Sequence, residues 1–187
     1  MKKDIYKFQF QNTFEHISFH DCIIKQLEWD NGNLVLHFDW LDMLKTHPAN
    51  DTGKAKQTDN ALVCFENVKV IKSEWHDDAK AVANAFEKKK KSGDTGVVLD
   101  IDPEEIEIKD IDFDDALRGL WIVSLDIERS GETYICKIDG HGLYQDFQDV
   151  RDFSKSIREI IEFEYKNARI HFNNFVCDAW FANIGRQ

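Results

Sequence analysis

The length, composition and charge of the chain limit the kind of protein it can be. It has 187 residues, of which 42% are hydrophobic, with 14 Phe, 5 Trp and a formal net charge of −11. These values exclude a disordered chain and favour a single domain over residues 1–187, long enough to bury a core without disulfides. No run approaches the roughly 18 apolar residues of a membrane span, and polar residues interrupt the start where a signal peptide needs an apolar stretch. We therefore expect a cytoplasmic protein that does not bind membranes.

Residues 18–40 predict a β-hairpin. Asn31-Gly32 is the pair preferred in a two-residue type I′ turn, because both positions of that turn need positive φ. A turn there fixes one register, which segregates apolar pairs onto one face. The opposed pairs in this register are Trp29–Leu34, Leu27–Leu36, Lys25–Phe38 and Ile23–Trp40.

Two later segments have patterns typical of helices. Residues 74–91 follow a plausible N-cap, Ser73, and end in a run of lysines, with Val82 and Phe86 at i,i+4. Residues 150–164 carry apolar side chains at helical spacing. Those side chains are Val150, Phe153, Ile157, Ile160 and Ile161.

The remaining patterns indicate strands. Residues 45–60 are polar and predict a loop, after which 61–75 has strand-like composition. Residues 97–119 alternate apolar and acidic residues, with a change of phase near Lys109-Asp110 that suggests a bulge or turn. A second hairpin is expected around Ser130-Gly131, and residues 168–175 can add a last strand. Together these elements predict an α+β fold, in which two main α-helices pack against an antiparallel β-sheet built from hairpins.

The pair His20-Asp21 raises the question of a metal site. His-Asp pairs occur in metal-dependent phosphohydrolases, and His37 and Asp39 share one face of the second strand of the hairpin. Extended past Ile23, the register also brings Asp21 near Asp42. A small metal-dependent hydrolase using His20, Asp21, His37 and Asp39 is therefore one alternative. The simpler interpretation is that His20 or Asp21 anchors the strand start, while His37 and Asp39 lie on a solvated sheet face. We favour it, and predict no catalytic residue, no metal and no cofactor.

The acidic residues are concentrated in one segment. Residues 100–115 contain nine acidic residues and one lysine, a balance of −8 out of −11 for the whole chain. Alternate Asp110, Asp112 and Asp114 suggest calcium, but an EF-hand loop needs a glycine and a glutamate that this stretch lacks. Focused negative charge speeds encounter with a basic partner and disfavours nucleic acid. The alternative is a solubilising strand that protects a sheet edge.

A resemblance to a known group of proteins rests on four consecutive features: the lead-in Phe19-His20-Asp21, the apolar strand, the Asn-Gly turn and the second strand. Over residues 18–70 this pattern resembles small bacterial immunity-type proteins of polymorphic toxin systems, and related bacterial domains of uncharacterised type. The resemblance implies a cytoplasmic, non-enzymatic domain that binds and blocks a toxin. We therefore predict a protein-binding domain for a basic partner and favour a role other than an enzyme; a small-ligand-binding module is a further alternative. The predicted partner-binding residues are Asp110, Asp112, Phe113, Asp114, Asp115 and Trp121.

Overall fold

The computed structural model describes residues 6–93, 100–142 and 157–183, and more than half of them lie in β-strands. The strands in chain order are β1 (Phe8–Gln11), β2 (Ile17–Ser18), β3 (Ile24–Asp30), β4 (Asn33–Phe38), β5 (Asp42–Met43), β6 (Lys56–Thr58), β7 (Ala61–Glu66), β8 (Lys69–Asp77), β9 (Glu107–Asp110), β10 (Leu120–Ser130), β11 (Thr133–Gly142), β12 (Ile157–Tyr165), β13 (Asn167–Phe172) and β14 (Phe175–Asp178). The helices within these residues are α1 (Ala79–Ser92) and α2 (Phe113–Leu117), with 3₁₀ turns at Phe14–His16 and Pro103–Glu105.

The strands within the described residues form three antiparallel sheets. Sheet I has the order β1-β13-β7-β4-β3, and sheet II has the order β10-β11-β12-β8-β9. Sheet III is smaller, with the order β14-β6-β5-β2. Hairpins account for the β3–β4 and β10–β11 neighbours, whereas β13 is inserted between β1 and β7 from far along the chain.

The main core lies where sheets I and II face each other. Phe65 of β7 meets Phe163 and Tyr165 of β12, with both pairs of ring centroids 5.0 Å apart. Phe113 of α2 adds an edge contact to Phe163 at 5.8 Å, so the short helix covers one part of this core. Aromatic pairs in these geometries bury large apolar areas, and this is the dominant stabilising term for a two-sheet core.

The prediction of an α+β fold with two main helices is wrong, because the described chain is mainly β. Residues 74–77 continue β8, so α1 begins only at Ala79, with Asp78 rather than Ser73 at the N-cap position. The buried side of α1 is formed by Ala81 and Ala85, whereas Phe86 is exposed. A face this small buries little apolar area, so α1 contributes little to the core.

The second predicted helix is largely a strand. Of residues 150–164, the part from 157 onward lies in β12, a central strand of sheet II, and 150–156 lie outside the described residues. Ile160 and Ile161 are both buried although neighbouring strand residues point to opposite faces. A strand covered on both faces has a near-continuous apolar run, and its spacing imitates a helix.

The two predicted hairpins are confirmed. Asn31 and Gly32 both have positive φ, at 51° and 81°, as a type I′ turn requires, and Gly131 turns the β10–β11 hairpin with a φ of 64°. Trp29 pairs with Leu34 and Leu27 with Leu36, as expected. Trp29 is nevertheless 42% exposed, so the apolar set is not buried along its whole length.

A bulge at the base of the first hairpin was not expected. Between Ile24 and Gln26 the register shifts, so that Ile24 rather than Lys25 pairs with Phe38. The shift places Ile24 in the core with no exposed surface and leaves Lys25 exposed. Inserting one residue is the ordinary way for a strand to exchange the side chain that faces the core.

The segment just before β3 also joins sheets I and II through the main chain. The Asp21 N–H donates to the Ile122 carbonyl at 2.9 Å, and the Ile122 N–H donates to the Cys22 carbonyl at 2.9 Å. A β-bridge between Ile23 and Trp121 lies beside them. The two sheets are therefore hydrogen-bonded to each other at this corner, in addition to packing face to face.

Candidate functional site

The acidic segment folds as an edge strand followed by a short helix. β9 pairs with β8 through residues 107–110 and forms one edge of sheet II, after which the chain turns into α2 instead of a second strand. Asp112 caps that helix, because its Oδ1 accepts the N–H groups of Asp114 and Asp115 at 3.0 and 3.2 Å. An aspartate at the N-cap both satisfies free backbone donors and complements the helix dipole. The alternation of acids therefore reflects capping as much as a solvated strand face.

The structure separates the six predicted partner-binding residues. Asp110 and Asp115 are exposed, whereas Asp114 accepts the indole N–H of Trp29 at 2.8 Å. Phe113 lies in the core at 8% exposure. The surface that this segment offers to a partner consequently consists of carboxylates together with Ile108 of β9, which is 54% exposed.

Trp121 lies apart from Asp110 of β9. It belongs to β10, which forms one edge of sheet II, whereas β9 forms the other edge. The two strands are separated by four strand spacings, or roughly 19 Å. Its indole N–H donates to Asp21 Oδ1 at 3.1 Å. The structure therefore does not bring Trp121 together with Asp110.

Among the described residues, Glu107 is the acidic residue of this segment that forms an ion pair. All of residues 100–115 are described. The ion pair within them joins Lys109 Nζ to Glu107 Oε1, at 2.7 Å. Lys109 also lies over the Trp75 ring at 4.8 Å from its centroid. Negative charge concentrated at one edge of a domain produces a strong local potential.

An open groove of about 600 Å³ runs beside the acidic segment, between β8 and the chain that enters α2. Val70 and Ile71 line it and are 43% and 49% exposed, while Asp110 and Asp112 lie on its other side. An exposed apolar strip next to carboxylates is typical of a protein-binding surface. The register of β8 against β12 shifts at this point, with Val70 opposite Phe163 and Lys72 opposite Glu162, so Ile71 is the extra residue of a bulge beside Val70.

His20 and Asp21 anchor the chain to sheet II. The Nδ1–H of His20 donates to the Val123 carbonyl at 2.8 Å, and its Nε2 lies 3.6 Å from Asp21 Oδ1. Asp21, at a positive φ of 66°, accepts the Trp121 indole hydrogen bond. These contacts hold the start of β3 against β10, which agrees with the anchoring interpretation.

His37 and Asp39 do not join His20 and Asp21 in a metal site. Asp39 Oδ1 accepts the N–H groups of Ile23 and Trp40, at 2.9 and 3.0 Å, and so closes the base of the hairpin. His37 Nε2 lies 3.4 Å from Glu28 Oε1 on the surface of sheet I. The described parts of the chain contain no group of three or more His, Cys, Asp or Glu side chains placed to hold a metal ion. The hydrolase alternative therefore finds no support in the geometry.

Asp42, which the sequence singled out only through its register with Asp21, is a buried carboxyl group. It has no exposed surface, and neither of its oxygens has a hydrogen-bond partner among the described residues. Burial, together with the charge of Asp21, raises the pKa of Asp42 to about 6, and His20 opposes the change. The electrostatic coupling agrees with the expected proximity of Asp21 to Asp42. Burial and nearby carboxylates also raise the pKa of the Cys22 thiol, which makes it a poor nucleophile.

Glu159 is a second buried carboxyl group, and sequence reasoning missed it. It lies on β12 at 3% exposure, and burial raises its pKa to about 7. It occupies space left by Gly142, where an added Cβ would come within 2.5 Å of Glu159 Oε1. Gly140 and Gly142 belong to β11. The glycines on either side of His141 are therefore strand positions that allow close approach.

Comparison with known proteins adds no relative to this description. The chain matches no protein-family model, no curated protein and no solved structure. In the described residues, no helix has the length and apolar character needed to cross a membrane.

Proposed function

We propose that the chain is a non-catalytic protein-binding domain whose acidic edge contacts a basic protein. The contact surface consists of the exposed carboxylates of β9 and α2, together with the apolar strip Val70–Ile71 in the adjoining groove. In this arrangement the apolar strip supplies contact area, and the carboxylates set association rate and selectivity.

One observation carries the proposal: a concentration of negative charge lies directly beside exposed apolar side chains. Acidic residues 100–115 give a local balance of −8. Edge protection alone requires charge but does not require an exposed Val70 and Ile71 next to it. A basic partner with an apolar contact matches both features, whereas nucleic acid would be repelled.

The alternative of catalysis receives less support from the same geometry. The two carboxyl groups with strongly raised pKa values, Asp42 and Glu159, are enclosed at 0% and 3% exposure. A general acid or base must reach the proton that it transfers, and neither group presents a surface to a substrate. We therefore assign neither of them a catalytic role.

The type of partner follows from the sequence pattern. Resemblance of residues 18–70 to immunity-type proteins supports a cytoplasmic domain that neutralises a basic toxin by binding it. A basic toxin would meet the acidic edge with complementary charge.

Charge reversal at the acidic edge tests this proposal. Asp110→Lys/Asp115→Lys changes two exposed carboxylates and spares Asp112 and Asp114, whose side chains make structural hydrogen bonds. Glu128→Lys/Glu132→Lys is the matched control, because it makes the same charge change at exposed positions of the β10–β11 hairpin. The wild-type chain and both variants are immobilised, and proteins captured from cell extract are identified and then purified for kinetics.

We expect a captured basic protein to associate at least about tenfold more slowly with Asp110→Lys/Asp115→Lys, with a much smaller change for the control. The wild-type association rate should also fall as ionic strength rises. Equal association rates with both variants would show that the partner does not use the acidic edge. Capture of no protein by the wild-type chain would count against a protein-binding function.

A further inference from the structure

Exposed apolar side chains are concentrated around the acidic edge. The described residues contain eight large apolar side chains that are exposed, and four of them lie beside the acidic segment. Val70 and Ile71 line the groove, and Ile108 lies two residues before Asp110 on the same face of β9. The fourth is Trp29 of β3. The acidic edge therefore includes an exposed aromatic side chain that comes from sheet I.

Two contacts hold Trp29 at this edge. Its indole N–H donates to Asp114 Oδ1 at 2.8 Å, and its ring centroid lies 5.9 Å from that of Phe113, with planes 46° apart. Phe113 is also part of the groove wall, so the indole lies next to the groove. The Val68 N–H donates to the Gly32 carbonyl at 2.8 Å and fixes the hairpin turn against the start of β8. The indole is thus held in place in advance, so little side-chain entropy is lost on binding.

The ring face of Trp29 carries no cation from the described part of the chain. The cation–aromatic contacts among the described residues place Lys7 over Phe8 and Lys109 over Trp75. Tryptophan has the ring face that attracts a cation most strongly among the aromatic side chains. An exposed indole beside carboxylates therefore offers a place for a cation that another molecule supplies.

Asp114 has a second carboxylate oxygen beside this ring. Its Oδ1 accepts the indole hydrogen, whereas its Oδ2 has no hydrogen bond or ion pair with any described residue. An ionised carboxylate can accept several hydrogen bonds, so Asp114 can hold the indole and still accept from another donor. Because the indole N–H lies in the plane of its ring, the carboxylate lies at the ring edge. A group that covers the Trp29 ring and donates towards Asp114 matches both features.

Arginine fits this pair of side chains better than lysine does. A guanidinium group is planar, stacks on aromatic faces and carries donors that point outward in its own plane. It can therefore cover the indole and donate to the carboxylate at the ring edge at the same time. An ammonium group is a compact, strongly hydrated charge, which must give up water in order to lie on the ring.

We propose that Trp29 and Asp114 bind an arginine side chain of the basic partner. This inference rests on the proposed function and adds a specific contact to it. The partner segment that carries the arginine lies along the groove, where Val70 and Ile71 provide apolar contact and the neighbouring carboxylates match its positive charge. Trp29, rather than Trp121, is then the aromatic anchor of this surface.

Two peptides of equal length and charge test the selectivity for arginine. Hexaarginine and hexalysine differ in the cationic group and not in net charge, so the ratio of their affinities isolates the effect of the guanidinium. Fluorescence anisotropy of labelled peptides gives both dissociation constants for the full chain at one ionic strength. We expect hexaarginine to bind the wild type about three- to tenfold more tightly than hexalysine, in the range of one cation–aromatic contact.

Replacement of the indole should remove this preference. Trp29→Leu should weaken hexaarginine binding by about three- to tenfold and change hexalysine binding by less than about twofold. Trp180→Leu is the matched control, because Trp180 is also exposed. Its neighbouring carboxylate, Asp178, is already paired with Lys54 and Lys56, so this variant should keep the preference.

The indole N–H signal of Trp29 reports the contact without requiring any variant to fold. In the assigned ¹H–¹⁵N spectrum of the wild-type chain, hexaarginine should shift this signal, and hexalysine should shift it much less. An indole signal that does not move at saturating hexaarginine would overturn the arginine site.

The peptide results separate this inference from the proposed function. Asp110→Lys/Asp115→Lys should weaken binding of both peptides alike, because it changes the potential of the acidic edge and spares the Trp29 contact. If it does so while Trp29→Leu keeps the full preference, or the wild type shows no preference, the arginine site is wrong and the acidic edge is still supported. If neither peptide binds, or charge reversal leaves both affinities unchanged, the acidic edge is wrong and the arginine site falls with it.

Discussion

Replacing Asp42 with asparagine should make the protein more stable at neutral pH, although Asp42 is completely buried. The wild-type carboxyl has no hydrogen-bond partner among the described residues, and burial raises its pKa from 3.8 to about 6. The folded state therefore holds the proton more tightly than the unfolded state does. Stability from this group is present below about pH 4 and is lost as pH rises through about 6, because the folded chain must then bury a charge.

The magnitude follows from the difference between the two pKa values of Asp42, which is roughly two pH units. Each unit corresponds to about 1.36 kcal/mol, so ionisation of Asp42 costs the folded state about 3 kcal/mol at neutral pH. The amide side chain in the Asp42→Asn variant stays neutral at every pH. We expect the variant to match the wild type near pH 4 within about 1 kcal/mol and to exceed it by up to about 3 kcal/mol above about pH 7.

Urea denaturation followed by tryptophan fluorescence gives the free energy of unfolding of both chains at a series of pH values. Subtracting the two curves removes the contribution of Glu159, which titrates in an overlapping range. Asp115→Asn serves as a control, because this aspartate is exposed. A stability difference that does not vary with pH, or a variant less stable than the wild type at neutral pH, would refute the assignment of a strained buried carboxylate.

Three other contacts lead to further predictions. Burial lowers the pKa of His47 to about 4, and its Nδ1 accepts the Ala49 N–H at 3.1 Å. An NMR titration of the ring should therefore give a midpoint near 4, and the stability of the wild type should fall as pH drops from about 6.5 towards that value. A midpoint near 6.5 would contradict burial of a neutral ring. Gly142→Ala should destabilise the protein by about 1–3 kcal/mol in urea denaturation, because the added Cβ would lie 2.5 Å from Glu159 Oε1. The additional change Glu159→Ala should reduce that loss. Asp112→Ala should cost about 1 kcal/mol through loss of the α2 cap, whereas Asp112→Asn should cost much less, and equal losses in the two variants would exclude capping as the cause.

Local turn chemistry made parts of this fold predictable. Asn31-Gly32 and Ser130-Gly131 define two hairpins because the residues at a tight turn carry their conformational preference with them. The bulge at Lys25 could not be predicted from local turn chemistry. It arises because Ile24 must enter the core while the chain crosses from sheet I towards sheet II, and that requirement depends on residues about a hundred positions away.

The prediction of a helix at 150–164 was wrong for a related reason. Ile160 and Ile161 are buried on opposite faces of a central strand, so their spacing does not distinguish a helix from a strand covered on both sides. Clustering of acids at 100–115 was visible in the composition. Burial of Phe113 and the distant position of Trp121 depend on the order of strands in sheet II, which composition and spacing do not encode.

The position of β13 has a consequence for how the chain folds. β13 lies inside sheet I, between β1 and β7, and its contacts with β1 close a very long loop, as in the hydrogen bond from the Lys7 N–H to Asn173 Oδ1 across 166 residues. The β3–β4 hairpin and its pairing with β7 need only short loops, so they can form early. Until β13 arrives, one edge of β7 has unpaired backbone groups and β1 has no neighbour. The interval before this strand docks is thus the period in which the folding chain is most exposed to strand-by-strand association with other copies.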